Sequence, residues 1–141
     1  MTVEPILIFA GQAIQAIDLY KKAFNAEVKV LMRQSDANPE DYQYNEEHKD
    51  FVNHSQLQIG KQIIMIVDDP EMDAKSQEKS PFLIDLLVQF DSDEELQAAY
   101  GVLSDDATIT SPLCSQTYCS LTCALVDKFG GRWQLMSGYN G

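Results

Sequence analysis

The pattern of elements in this chain occurs twice, and that repeat limits its fold more than anything else. Ile6 to Phe9 is a short apolar run ended by Gly11, which reads as a strand. Ala13, Ala16, Ile17, Tyr20 and Phe24 then recur at three- and four-residue steps, so the spacing predicts a helix over 12–24. Asn25 tolerates the left-handed conformation and can close it. Val28, Val30 and Met32 alternate with Glu27, Lys29 and Leu31, the pattern of a half-buried strand. Residues 34–50 hold six acids and Pro39, and read as an exposed, mobile loop. Alternation resumes at Phe51. Ser55, Leu57 and Ile59 point one way, and His54, Gln56 and Gln58 the other. Gly60-Lys61 suits a tight turn into a partner strand over 62–67.

The second half follows the same plan. Phe82 to Phe90 reads as a strand. Ser92 can cap a helix, with Glu95 completing a capping box and the early acids suiting the positive end of the helix dipole. Leu96, Ala99, Tyr100 and Leu103 form its apolar stripe. Strands are expected at 107–109, 118–126 and 132–136, with Asp127 to Gly131 as the turn between the last two. Tyr20 and Tyr100 stand late in equivalent helices, 80 residues apart. The expected fold is α+β: two βαβββ modules over 1–75 and 76–141, packed as one domain. Helices cover one face of the curled mixed sheet that the two modules form. The other face is also fairly apolar and must meet a cavity, a ligand or a second chain.

Composition narrows the partners. Ten basic residues against 22 acidic ones leave a formal net charge of −12, which repels nucleic acid and anionic membranes. The uncharged stretch 107–126 is long enough to span a bilayer, yet it contains seven Ser or Thr residues, Gln116 and Pro112, so strand and loop are expected there. The opening residues lack a basic region before their apolar run, so no secretory signal is expected and a cytoplasmic location is. Cys114, Cys119 and Cys123 are an odd set, expected as free thiols. Cys119 and Cys123 read as small core-fillers. No P-loop, GxGxxG, nucleophile elbow, HExxH or CxxC is present.

Several fragments together resemble the vicinal-oxygen-chelate superfamily of glyoxalase I, bleomycin-resistance proteins and extradiol dioxygenases, and within it the PhnB-like branch. They are Phe9-Ala10-Gly11, Ala16 to Phe24, His54 to Gly60, Met65 to Asp68, and Asp127-Lys128-Phe129-Gly130 before Trp133-Gln134-Leu135. The resemblance implies two βαβββ modules whose sheets curl into a cup with helices on the outer face. Metal-dependent members hold a divalent ion there with His or Glu from the first, fourth, fifth and eighth strands. Those positions fall here on Pro5 (or Glu4), Met65, Asp85 and Gln134. Only Asp85 is an ordinary hard-metal ligand, so the usual metal site is expected to be absent and no cofactor is assigned. The methyltransferase label attached to this branch finds no Gly-rich cofactor loop in the sequence.

His54 is the leading candidate general base or ligand partner, set against a purely structural role. Asp85, alone in an apolar strand, must be paired or hydrogen-bonded and would complete an acid–base pair if the fold brought it to His54. Phe9, Gln56, Met65, Leu87, Leu121 and Gln134 are the expected ligand-lining residues. Arg132 is expected to pair with surface acids. The leading functional reading is a metal-free binder of a small organic molecule, acting as a homodimer. The alternatives are a metal-dependent glyoxalase, lyase or dioxygenase with a divergent site, and a drug-sequestering protein of the bleomycin-resistance type.

Overall fold

The computed structural model describes residues 1–40, 43–72 and 84–140. The chain divides into two compact units, Met1–Lys79 and Ser80–Gly141. The first holds β1 (Ile6–Phe9), α1 (Ala13–Phe24), β2 (Glu27–Arg33), β3 (Val52–Ile59) and β4 (Gln62–Asp68). The second holds β5 (Leu86–Phe90), α2 (Asp93–Leu103), β6 (Thr108–Gln116), β7 (Cys119–Val126) and β8 (Arg132–Ser137). This is the repeated βαβββ plan. The boundary expected at 75/76 and the strand start expected at Phe82 lie outside the described residues.

Both sheets have the same topology. Their orders are β1-β4-β3-β2 and β5-β8-β7-β6. The first strand of each pairs in parallel with the last, and the remaining pairs are antiparallel. A parallel neighbour needs a crossover, and each module supplies one through its helix and two middle strands.

In the first unit α1 buries Ala13, Ala16, Ile17, Leu19, Tyr20 and Ala23 against one face of the sheet. That face presents Leu57, Ile64 and Ile66, each under 5% exposed. The helix ends at Asn25 with φ 51, as its sequence predicts. Its start is unusual, because Gln12 makes no side-chain cap and the first turn holds no acid. Asp68 at the end of β4 does that work. Its Oδ1 accepts the amides of Gly11 (2.9 Å) and Ala13 (3.0 Å), and its Oδ2 accepts the amide of Val52 (2.9 Å). One buried carboxylate thus joins the β1–α1 turn, the first turn of α1 and the start of β3. Gly11 is needed at that turn: φ is +105, and a Cβ there would lie 2.7 Å from the Phe51 ring.

The second unit anchors its helix from the other side. Ser92 Oγ accepts the Glu95 amide at 3.2 Å, the expected cap. Asp93, in the first turn of α2, accepts the hydroxyls of Ser120 and Ser137, both at 2.6 Å. Those bonds hold its carboxyl below the usual aspartate value of 3.8. Leu96, Ala99 and Leu103 of α2 are buried, and the sheet face beneath offers Trp133, Leu135, Cys123 and Leu125, each 2% exposed or less. Asp127 closes the β7–β8 turn. Its Oδ1 accepts the Phe129 and Gly131 amides (2.8 and 3.0 Å), and its Oδ2 accepts the Trp133 indole N–H (2.8 Å).

Two sequence expectations change. The strand expected at 107–109 runs from Thr108 to Gln116. Pro112 is tolerated there because β6 is an edge strand and its register to β7 is interrupted on both sides of Ser111. The expected loop after β2 is tied back to β3: the amides of Gln34 and Ser35 bond to the carbonyls of Phe51 and Lys49. Gln34 is buried, and short 3₁₀ turns form at Gln34–Asp36 and Glu46–His48. Cys114, Cys119 and Cys123 are free thiols. Cys119 and Cys123 are buried, and burial pushes the Cys123 thiol up to about 11, an unreactive core thiol. Among the described residues no helix is long and apolar enough to cross a membrane.

Candidate functional site

Each sheet has one face under its helix, and the chemistry gathers on the opposite face. In the first unit, directly paired residues share a side of the sheet, so the register defines the face. Ile6 pairs with Met65, Met65 with Gln56, and Gln56 with Val30, giving one cross-strand row of two aliphatics, a thioether and an amide. The neighbouring pairs Ile8–Val67 and Met32–His54 lie on the same side. His54 and Gln56 therefore stand together on the face turned away from α1, flanked by apolar side chains. Their strand puts Ser55 and Leu57 on the other side, both buried. Ser55 holds its own place there by donating its hydroxyl to the Ile66 carbonyl.

Phe9 belongs on the opposite side from its expected place. It pairs with Asp68 and is 3% exposed, whereas Ile6 and Ile8 are 54% and 47% exposed. Register from β4 sets this phase, and a four-residue apolar run cannot reveal it. Ile6 and Ile8 are the β1 residues on the face of Met65, and sequence reasoning missed them.

In the second unit the face away from α2 carries Asp85, Leu87, Arg132 and Gln134. Leu87 pairs with Gln134 and is half exposed. Asp85 lies one residue before β5, and both its oxygens are engaged. Oδ1 accepts Arg132 Nε at 2.7 Å, and Oδ2 accepts Gln134 Nε2 at 3.3 Å. The ion pair is largely sheltered, each side chain being 24% exposed. Arg132 is one of the two arginines in the chain. Its expected partner was a surface acid, but the structure gives it the candidate carboxylate itself, 47 positions away in sequence. The shared strand face of Arg132 and Gln134 was legible; the arrival of Asp85 between them was not.

Leu121 is a second correction. It pairs with Ser137, which bonds to Asp93 at the start of α2, so Leu121 lies on the helix side. His54 belongs to the first unit, and Asp85 to the second, where Arg132 and Gln134 hold it. Among the described residues no three His, Cys, Asp or Glu side chains form a metal-ligand cluster.

The fold has solved counterparts. Protein PA1353 of Pseudomonas aeruginosa superposes with TM-score 0.84 at 18% identity, covering 99% of each chain. The PhnB protein of Bacillus cereus gives TM-score 0.78 at 24% identity over 97% of this chain and 99% of that one. A glyoxylase/bleomycin resistance protein/dioxygenase domain from Frankia gives 0.68 at 13% identity over 100% and 94%. No curated protein matches the sequence. The family model for 3-demethylubiquinone-9 3-methyltransferase matches residues 1–136. By that match the chain belongs to the 3-demethylubiquinone-9 3-methyltransferase family, and its paired βαβββ modules give it the fold of these solved structures.

Proposed function

We propose that this protein binds a small, largely apolar organic molecule on the face of its first sheet turned away from α1, without a resident divalent ion. The observation that carries the reading is the row Ile6–Met65–Gln56–Val30 with His54 beside it. A mostly apolar lining with a few polar groups that fix orientation is the usual make-up of a small-molecule site. Met32 and Met65 add unbranched, polarizable side chains that adapt to a ligand's shape. His54 supplies a hydrogen-bonding imidazole, and the Gln56 amide both donates and accepts.

The donor set does not fit a divalent ion. The superfamily's ligand positions fall on Pro5 or Glu4, Met65, Asp85 and Gln134. Proline has no side-chain donor, a thioether is soft, and an amide oxygen is neutral. Glu4 aside, the suitable carboxylate is Asp85, and it is already bonded to Arg132 and Gln134. The methyltransferase in the family's name describes that family, and we assign no methyl transfer to this chain. On this reading the protein works in the cytoplasm as a homodimer, which light scattering of the purified chain would check.

Methyl-labelled methionine makes the binding claim measurable. Fragments binding even at roughly millimolar strength should shift the Met65 and Met32 methyl resonances and leave core methyls in place. A diverse library that moves neither signal would refute the binding face. Calorimetric titration of demetallated protein with Ni, Zn, Mn and Fe(II) tests the other half of the claim. One-to-one micromolar binding would overturn the metal-free reading.

A further inference from the structure

We infer that Arg132 is the built-in cation of the second sheet's open face, and that it keeps divalent ions off Asp85. Asp85 is the carboxylate on that face, and its two oxygens are spoken for by different donors: Arg132 Nε on Oδ1 at 2.7 Å and Gln134 Nε2 on Oδ2 at 3.3 Å. A carboxylate is acceptor-only when ionised, so Gln134 must turn its NH2 group toward it. The amide oxygen is thereby turned away from the point where a cation would need it. An ion approaching Asp85 meets a guanidinium and an amide N–H, both of the wrong polarity. The pair is also well sheltered, with each side chain 24% exposed, so solvent screens the repulsion only in part. Arginine suits this post because its charge is permanent and its planar donors hold a carboxylate in fixed geometry.

The sequence around Arg132 explains how the group is delivered. Arg132 and Gln134 are two residues apart on β8, so they share a side of the sheet. Leu87 pairs with Gln134 across the parallel β5–β8 ladder. Asp85, two residues before Leu87, is carried to the same side by the same alternation. Trp133 between them and Leu135 after them are buried under α2, and the Trp133 indole is fixed by Asp127. The strand cannot rotate to relax the constellation without pulling its core residues out.

This inference rests on the metal-free reading above and explains it by one residue. The test compares wild type, Arg132→Met, Arg132→Gln, Arg132→Lys and the double variant Arg132→Met with Asp85→Asn, using Mn2+ titration followed by electron paramagnetic resonance. Circular dichroism confirms folding of each. Wild type and the lysine variant should show no saturable binding. The methionine and glutamine variants should bind Mn2+ at least about tenfold more tightly than wild type, the scale expected from deleting a unit charge beside the liganding carboxylate. The double variant should lose the gain. Glutamine carries the test if methionine compromises folding. Tight wild-type binding would sink the metal-free reading itself. A silent wild type with equally silent, folded Met and Gln variants would sink the role of Arg132 and leave that reading standing. A gain that survives Asp85→Asn, or appears with lysine, would likewise overturn the assignment.

Discussion

Replacing Asp68 tests the account of how the first module is held together. Asp68 is 6% exposed and receives three backbone N–H groups: those of Gly11 and Ala13 on Oδ1 and of Val52 on Oδ2. Ala13 and Val52 are fully buried, so Asp68→Ala strands two donors with no route to water. Each buried orphan costs about 1–3 kcal/mol. Gly11 is only partly buried, and water can serve it. Loss of a negative charge at the start of α1 adds up to about 1 kcal/mol. The expected destabilisation is therefore about 2–7 kcal/mol, a large part of the roughly 5–15 kcal/mol that holds a domain of this size together. Asp68→Asn should cost less, about 2–3 kcal/mol, because its one oxygen can keep the Gly11 and Ala13 amides while its NH2 opposes Val52.

Urea unfolding followed by circular dichroism gives the totals, and amide hydrogen exchange gives the locations. Exchange at Ala13 and Val52 should accelerate in Asp68→Ala. Phe129 and Gly131 are bonded to Asp127 in the other unit and serve as controls that keep their protection. An alanine variant that loses less than about 1 kcal/mol, below the cost of even one buried orphan, would refute the reasoning. So would unchanged exchange at Ala13 and Val52.

Three further outcomes follow from the second module and its thiols. Gly138→Ala should destabilise by about 1–3 kcal/mol in thermal unfolding, because φ is +61 and the new Cβ would collide with Ser120 Oγ, dislodging a hydroxyl that serves Asp93. The Asp93 carboxyl is held below 3.8 by Ser120 and Ser137. A lowered carboxylate stabilises the fold above its unfolded value and loses that effect as pH falls through its folded one. Asp93→Asn should therefore flatten the acid limb of a Tm-against-pH curve, and an unchanged limb would contradict the assignment. Cys123, raised to about 11 by burial, should resist iodoacetamide until pH nears that value, while the partly exposed Cys114 reacts first. Its contribution to stability fades as pH climbs from 9.0 toward 11. Equal labelling of the two thiols at neutral pH would refute this.

The repeated plan could be read from the sequence because each signal for it is local. Helical spacing from Ala13 to Phe24, alternation from His54 to Ile59 and the Ser92 cap all lie within a few residues of one another, and the structure contains each. The length of β6 was hidden because Pro112 and the hydroxyl-rich run around it satisfy turn rules as well as edge-strand rules. Phe9 and Leu121 were assigned to the wrong face for a different reason. In strands whose two faces are both fairly apolar, alternation gives the period but not the phase, and the partner strand fixes the phase. Arg132 with Asp85 is a pairing across the whole second module, and no rule of local spacing reports it.

The two modules also show which residues a repeat must keep and which it can exchange. The last residues of β4 and β8 occupy matching places, Asp68 opposite Phe9 and Ser137 opposite Phe90. In the first module the strand end carries the acid and the helix start supplies only amides. In the second the helix start carries the acid, Asp93, and the strand end supplies a hydroxyl. Either arrangement puts one negative charge between a strand end and the positive end of a helix, which is what the junction requires physically. Sequence comparison of the modules sees no common residue there, although the same connection is made. The faces away from the helices answer to no such requirement, and they differ in kind. One is neutral and soft, with His54, Gln56 and Met65; the other centres on an internal ion pair. On the first face the imidazole is the test: His54→Ala should weaken the binding of fragments that shift the Met65 methyl resonance, and unchanged affinity across a varied fragment set would argue against a role for His54 there.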